Sequence, residues 1–108
     1  MAFRFGAKLE ELKKEMKMLV EIEKHPIVLF YYNDKVYAID NRCPHKQGSL
    51  YDGTFEDGVI TCPRHGAKFA IEKGNVKQKP KVLFFKLPTK KAQTYVTKIT
   101  DGDVMILV

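Results

Sequence analysis

The stretch CPHKQGSLYDGTFEDGVITCPRHG, residues 43–66, carries a Cys-Pro motif near each end and a turn signal between them. The first motif is CPH at 43–45, and the second is CPRH at 62–65. Asp57-Gly58, between the motifs, is a strong signal for a two-residue β-hairpin turn. A hairpin at this point would bring the two motifs side by side at its open end.

The register of this hairpin follows from the length of its turn. A two-residue turn sets Glu56 opposite Val59 and Thr54 opposite Thr61. Cysteine and histidine at positions i and i+2 of an extended chain point to the same side. Each loop can therefore offer one sulfur and one nitrogen to a shared centre.

Two cysteines and two histidines in this pattern fit three kinds of site. A structural zinc ion would accept all four, but zinc sites usually pair like ligands as C-x₂₋₄-C and H-x₃₋₅-H, whereas each pair here is mixed. A Cys–His nucleophile needs one pair and an orienting group, so the second pair would have no role. A two-iron cluster with two sulfur and two nitrogen ligands uses all four. The candidate ligands are Cys43, His45, Cys62 and His65.

The composition bounds the class of protein. The chain has 108 residues, of which 44% are hydrophobic and 30% charged, values that suit one soluble globular domain. No apolar run approaches the roughly 20 residues needed to cross a bilayer. The first residues, MAFRFGAKLEELKKEM, lack the pattern of a secretory signal. We therefore expect a cytoplasmic monomer that has no membrane partner.

The formal net charge of +6 raises the question of a nucleic-acid partner. The lysines are spread along the chain rather than clustered, which argues against such a partner. A basic face that steers an acidic protein partner is the expectation instead. The abundance of Lys and Glu, with few Asn and Gln, is typical of a thermophilic source.

The hydrophobic pattern predicts an all-β fold. Short strands separated by turn signals favour an antiparallel sandwich or barrel of about nine or ten strands. A helical turn is expected around 8–12, a break at His25-Pro26, and a surface loop at 87–93. The predicted strands cover residues 16–23, 27–32, 35–40, 54–56, 59–61, 81–87, 94–100 and 103–108.

On its motifs the sequence resembles the Rieske family, whose pattern is C-x-H and, after a spacer, C-x-x-H. Gly48, Leu50 and Gly66 are lesser matches beside CPH at 43–45 and CPRH at 62–65. The resemblance implies a [2Fe-2S] cluster in which two of four cysteines are replaced by histidines on one iron. It implies that the cysteines hold an inner iron and the histidines an outer iron nearer the surface.

The resemblance also implies an organisation of the chain. Residues 1–108 would form a single Rieske domain of stacked antiparallel sheets. A cluster-binding subdomain would cover about 41–69. A covering loop of about 76–81, containing Pro80, would lie over the cluster.

Two features differ from the high-potential branch of that family. That branch joins its two loops by a disulfide, and the matching positions here are Gly48 and Arg64. It also has a Ser and a Tyr whose hydroxyls donate to sulfur, where this chain has Ala67 and Phe69. Because such donors stabilise the more negative reduced cluster, their loss lowers the potential. We expect a potential near the low end of the Rieske range, on the order of −150 mV.

The function implied is that of a soluble Rieske-type ferredoxin. It would shuttle single electrons between a reductase and an oxygenase or another redox partner with an acidic docking surface. The chain is too short for an added catalytic domain, so we expect an electron carrier and not an enzyme. One alternative is the Rieske small subunit of a larger oxidoreductase, such as a nitrite-reductase-like or oxygenase complex. The other is a Cys2His2 zinc interaction module with no redox role.

Overall fold

The computed structural model describes residues 1–44 and 48–108. In these two segments the chain forms thirteen strands, the helix α1 (Leu9–Glu15) and a 3₁₀ turn (Leu50–Asp52). The strands are β1 (Phe3–Lys8), β2 (Lys17–Ile22), β3 (His25–Tyr32), β4 (Lys35–Asp40), β5 (Thr54–Glu56), β6 (Val59–Thr61), β7 (Lys68–Ala70), β8 (Val76–Gln78), β9 (Lys81–Val82), β10 (Phe85–Lys86), β11 (Thr94–Tyr95), β12 (Thr97–Thr100) and β13 (Asp103–Leu107).

Eleven of these thirteen strands form three antiparallel sheets. Sheet 1 has the order β1-β13-β12, sheet 2 the order β11-β4-β3-β2, and sheet 3 the order β5-β6-β7-β8. β9 and β10 pair only with each other among the described strands. The predicted all-β, antiparallel class is confirmed. The extents of 49 × 27 × 19 Å describe an elongated stack rather than a barrel.

The β5–β6 hairpin has the predicted register. Thr54 pairs with Thr61, and Glu56 pairs with Val59. Its two turn residues, at 57 and 58, have φ angles of 50° and 77°. Two positive φ angles are what a type I′ turn requires, and that turn matches the twist of the flanking strands.

Strand β3 supplies both cores of the molecule with alternate side chains. Val28 and Phe30 pack in a core between sheets 2 and 3, while Ile27 and Leu29 pack in a second core against sheet 1 and α1. Successive side chains of a strand point to opposite faces. A strand that is covered on both faces therefore reads as a continuous apolar run, here 27–30.

Helix α1 closes one end of the second core. Acidic side chains lie in its first turn and basic side chains in its last, which complements the helix dipole. Leu12 is fully buried and anchors the helix. The predicted helical turn around 8–12 is confirmed and extends to Glu15.

The predicted break at His25-Pro26 is wrong. The turn lies one step earlier, at Glu23 and Lys24, which have φ angles of 47° and 71°. Pro26 is the second residue of β3, where it pairs with Glu21. Proline is tolerated at the start of a strand because few ladder hydrogen bonds need its missing N–H there.

Two longer predicted strands are also wrong in their extent. Segment 81–87 is a short hairpin of β9 and β10, and its turn at Leu83 has a φ of 57°. Segment 94–100 divides at Val96, since β11 joins sheet 2 and β12 joins sheet 1. An apolar run gives no information about which edge it pairs with, so the sheet change is invisible in the pattern.

The contact between Phe30 and Phe55 ties sheet 2 to sheet 3, with ring centroids 4.7 Å apart. Phe30 is fully buried. We expect Phe30→Ala to lower the free energy of unfolding by about 3–5 kcal/mol, because it removes a buried ring and leaves a cavity. Urea denaturation followed by circular dichroism measures this. The matched control Phe5→Ala, at a half-exposed ring, should change it by about 0.5 kcal/mol or less. Equal losses in the two variants would contradict the role assigned to Phe30.

Candidate metal centre

Cys43 and Pro44 of the first motif follow β4, and Cys43 is bonded to Gly48 further along the chain. The N–H of Cys43 donates to the carbonyl of Gly48 at 2.8 Å. Just outside this contact, Arg42 and Ser49 form an isolated β-bridge. The two ends of the loop are therefore held together. His45, predicted as a ligand, lies outside the described residues.

The second motif lies on a loop that follows β6. The N–H of Cys62 donates to the carbonyl of Ala67 at 2.7 Å, and the N–H of Gly66 donates back to the carbonyl of Cys62 at 3.2 Å. Gly66 has a φ of 74°, a conformation that glycine adopts without strain. Ala67 and Phe69 are fully buried behind this loop.

The two loops meet at Gly48. A Cβ atom at this position would lie 3.3 Å from Sγ of Cys62 and 2.9 Å from Cγ and Cδ of Arg64. A larger side chain would push the first loop away from the sulfur, so glycine permits the close approach. The loop that follows the first motif thus meets the loop of the second motif, as the hairpin predicts, and Cys43 and Cys62 belong to one core cluster.

Burial differs between the two cysteines and His65. Cys43 and Cys62 are 0% and 1% exposed and belong to the same core cluster as Phe30 and Ile60. His65 is only partly buried. The second loop therefore points its cysteine into the core and carries its histidine toward the surface.

A third segment contacts the second loop. The N–H of Lys81 donates to the carbonyl of His65 at 2.9 Å, and the side-chain amide of Gln78 donates to the carbonyl of Gly66 at 3.0 Å. Pro80, between them, is buried. The segment predicted as a covering loop is thus bonded to the backbone next to a candidate ligand.

The end of β4 holds the first loop through Asp40. Its Oδ1 accepts from the N–H of Arg42 at 2.8 Å and from Nε of Arg42 at 3.0 Å. Its Oδ2 accepts from Nη2 of Arg42 at 2.8 Å and from the hydroxyl of Tyr95 at 3.1 Å. Sequence reasoning missed Tyr95, which lies 55 residues away in the chain. The contact of Tyr95 with Asp40 depends on the pairing of β11 with β4, which the sequence pattern does not predict.

These contacts change two pKa values. Burial alone would raise the pKa of the Asp40 carboxyl, but the hydrogen bonds and charge of Arg42 bring that pKa below its ordinary value. Burial, the charge of Asp40 and the hydrogen bond to it raise the pKa of Tyr95 to about 12. Asp40 therefore stays ionised and Tyr95 protonated over the neutral range.

The donor chemistry fits an iron–sulfur cluster. Two thiolates and two imidazoles form the ligand set of a Rieske centre. The buried sulfurs and the close approach at Gly48 provide a cradle for it. Within 1–44 and 48–108, no three His, Cys, Asp or Glu side chains form a group that could hold one metal ion.

An antiparallel β fold with two converging Cys–His loops defines a class of iron–sulfur electron-transfer domain. Residues 5–89 match the family model of the Rieske [2Fe-2S] domain. The chain belongs to the Rieske [2Fe-2S] domain family.

Two curated relatives are similar over most of the chain. The 3-phenylpropionate/cinnamic acid dioxygenase ferredoxin subunit of Photorhabdus laumondii is 32% identical over 83 residues, which cover 76% of this chain and 72% of that protein. The biphenyl dioxygenase ferredoxin subunit of Pseudomonas sp. strain KKS102 is 25% identical over 107 residues, which cover 98% of this chain and 92% of that protein.

Solved structures show the same fold. The Sphingomonas yanoikuyae B1 ferredoxin superposes with a TM-score of 0.83 at 27% identity, with 97% of each chain covered. The ferredoxin of carbazole 1,9a-dioxygenase from Nocardioides aromaticivorans IC177 superposes with a TM-score of 0.80 at 22% identity, covering 98% of this chain and 97% of that one. The expected Rieske-like fold is confirmed.

The family settles the choice among the three kinds of site. The protein carries a [2Fe-2S] cluster and transfers electrons, and neither a structural zinc ion nor a Cys–His nucleophile accounts for its motifs. No helix in the described part of the chain is long and apolar enough to cross a membrane.

The Asp40 network predicts a pH-dependent stability. At neutral pH, Asp40→Asn should lower the free energy of unfolding by about 2 kcal/mol, because it weakens charge-assisted hydrogen bonds. Because its pKa is lowered in the folded state, Asp40 contributes stability above its ordinary pKa of about 3.9. This contribution is lost as pH falls through the folded-state pKa. The variant and the unsubstituted protein should therefore converge in acid. Thermal unfolding between about pH 7 and pH 2 measures this.

Asp52→Asn, at an exposed carboxyl, is the matched control and should show no such convergence. At the alkaline end the sign is opposite. Because the pKa of Tyr95 is raised in the folded state, its stabilising contribution is complete below about pH 10 and is lost as pH rises toward about 12. If Asp40→Asn destabilises the protein equally at about pH 7 and about pH 2, the role assigned to the ionised Asp40 carboxyl is contradicted.

Proposed function

We propose that this chain is a free ferredoxin that takes single electrons from a reductase and passes them to an oxygenase. The observation that carries the proposal is the ferredoxin-subunit relative that this chain matches over 98% of its own length. Both curated relatives described above are subunits of dioxygenases. A further neighbour, at a TM-score of 0.81 and 22% identity, comes from a complex of an oxygenase and a ferredoxin in carbazole 1,9a-dioxygenase.

In this proposal Cys43 and Cys62 bind one iron, and His45 and His65 bind the other. The support is the difference in burial, since both cysteines lie in the core and His65 reaches the surface. When bound, the cluster accepts and releases one electron. The chain holds its sulfur side in the core and presents its imidazole side to a partner.

The remaining predicted site residues act on the two loops. Gly48 and Gly66 allow the tight backbone at each motif, and Ala67 and Phe69 fill the space behind Cys62. Pro80 belongs to the predicted covering segment at 76–81, which includes β8 and the first residue of β9 and is bonded to the second loop. The cluster-binding part covers about 41–69 within one domain of 1–108.

The finer features of the proposal concern the setting in which the protein works. Its net charge of +6 fits a partner with an acidic docking surface. Cysteines used as iron ligands, rather than as a disulfide, fit the reducing cytoplasm. We place the protein there as a monomeric carrier that is not catalytic by itself. A thermophilic source stays a prediction from composition.

The second candidate is a fixed Rieske subunit of a larger oxidoreductase. The exposed apolar side chains at 83–85 are the observation that favours it, because stable subunit interfaces bury such groups. The same residues can also serve a transient contact.

Substitution of the ligands tests the centre. Protein purified without oxygen should hold about two iron atoms and two acid-labile sulfides per chain, with a visible absorption spectrum. Cys62→Ser, His45→Ala and His65→Ala should each lose the cluster, because each removes an iron ligand. The third histidine, His25, lies at the start of β3 and provides the matched control, so His25→Ala should keep it. A colourless protein with stoichiometric zinc would overturn the cluster assignment.

The potential tests the predicted effect of the missing hydroxyls. Protein-film voltammetry should give a value on the order of −150 mV. Ala67→Ser and Phe69→Tyr should each raise it, because a hydroxyl near the cysteine sulfur stabilises the reduced cluster. Phe5→Tyr, at a half-exposed ring of sheet 1, should leave it unchanged. A value above zero for the unsubstituted protein is incompatible with the prediction.

A further inference from the structure

The β9–β10 hairpin carries large apolar side chains at its tip. Leu83, Phe84 and Phe85 are 85%, 97% and 69% exposed. Leu83 also has a φ of 57°, which is unfavourable for a branched apolar residue and favours Asn, Asp or Gly. Neither burial nor turn chemistry explains these residues, and contiguous exposed apolar groups mark interaction sites. We call residues 83–85 the apolar tip.

The apolar tip is close to a predicted iron ligand. The hairpin begins at Lys81, whose N–H is bonded to the carbonyl of His65 at 2.9 Å. The base is closed by the N–H of Leu87, which donates to the carbonyl of Pro80 at 2.8 Å. Two residues of chain span at most about 7 Å, so Leu83 stays near the second loop. A protein that binds the tip therefore stands beside His65.

The surface around the apolar tip is basic. Residues 73–100 contain eight lysines and no Asp or Glu, so the basic residues are denser in this segment than the expected even spread along the chain. An open cavity of about 520 Å³ lies between β8 and the hairpin. Its lining includes four exposed lysines and no carboxylate: Lys77, Lys79, Lys81 and Lys86. We call this cavity the lysine groove.

We propose that the apolar tip and the lysine groove together form the docking surface for the redox partner. The tip enters an apolar pocket on that protein, and Asp or Glu side chains at the border of the pocket bind in the groove. The inference rests on the proposed function, because it assigns the surface through which the ferredoxin meets its partner. Aromatic side chains are enriched at protein interfaces, and complementary charge orients the encounter.

An acidic protein partner fits this surface better than a lipid bilayer or a second copy of this chain does. The tip adjoins His65, so a lipid bilayer bound there would stand where the electron partner must approach. A second copy of this chain would bring two lysine-rich segments together, and juxtaposed like charges are costly. An acidic protein surface has neither difficulty.

The test uses the oxygenase and reductase components of the Photorhabdus 3-phenylpropionate/cinnamic acid dioxygenase as probes. The reduced holoprotein is mixed with the oxidised oxygenase, and the oxidised holoprotein is mixed with the reduced reductase. Stopped-flow absorbance measures the second-order rate constants of electron transfer with each. Phe84→Ser should lower the rate constant about tenfold, equivalent to about 1.4 kcal/mol. Phe5→Ser removes a half-exposed ring from sheet 1 and should leave it within about twofold.

The charge arm uses a matched pair of reversals. Lys79→Glu with Lys86→Glu should slow transfer, and the deficit should shrink as salt is added, because ions screen the steering field. Lys13→Glu with Lys14→Glu, which reverses two exposed lysines of α1 and changes the net charge by the same amount, should have a smaller effect. Reduction by dithionite and the midpoint potential should be unchanged in Phe84→Ser, which separates docking from damage to the cluster.

The outcomes distinguish the inference from its premise. Equal rates for Phe84→Ser and Phe5→Ser, when the unsubstituted protein is active, would overturn the docking surface. Tip-dependent binding to vesicles of phosphatidylserine and phosphatidylcholine would overturn it in favour of a lipid surface. Tip-dependent dimerisation in the analytical ultracentrifuge would overturn it in favour of a second copy. If the unsubstituted protein is reduced by dithionite but exchanges no electrons with either component, the proposed function is contradicted, and with it the premise of the docking surface.

Discussion

The approach of the first loop to the sulfur of Cys62 is the contact on which the site depends. Cys43 follows β4 of sheet 2, and Cys62 follows β6 of sheet 3, so the two sulfurs belong to different layers. Both cysteines lie in the core between those sheets, and the two loops approach each other at Gly48, which has no side chain to keep them apart. Packing and short backbone hydrogen bonds thus hold the two candidate ligand loops in place.

The first loop is also held from a strand remote in sequence. Asp40 accepts hydrogen bonds from two nitrogens of the Arg42 side chain, next to Cys43, and from the hydroxyl of Tyr95 on β11. A buried carboxylate is costly unless its oxygens are bonded, and here both oxygens have donors. The charge pair therefore fixes the direction in which the chain leaves β4, at the point where the cysteine follows.

The hairpin that brings the two loops together was predictable because its signals are local. The spacing of CPH and CPRH and the turn at Asp57-Gly58 required only nearby residues, and the register between Thr54 and Thr61 followed. Features that depend on distant pairing were not predictable. The hydroxyl of Tyr95 reaches Asp40 only because β11 joins β4, and 81–87 looked like a strand because apolar patterning does not reveal exposure.

The two-sided burial of β3 has a consequence for how the protein folds and fails. A slip of one residue in its pairing would turn every apolar side chain of 27–30 to the opposite face and empty both cores together. A register error is therefore penalised twice, which leaves few competing arrangements. For the same reason neither core can unfold without the other. The layer that carries the candidate ligand loops and the layer that carries the chain termini therefore share one cooperative unfolding transition.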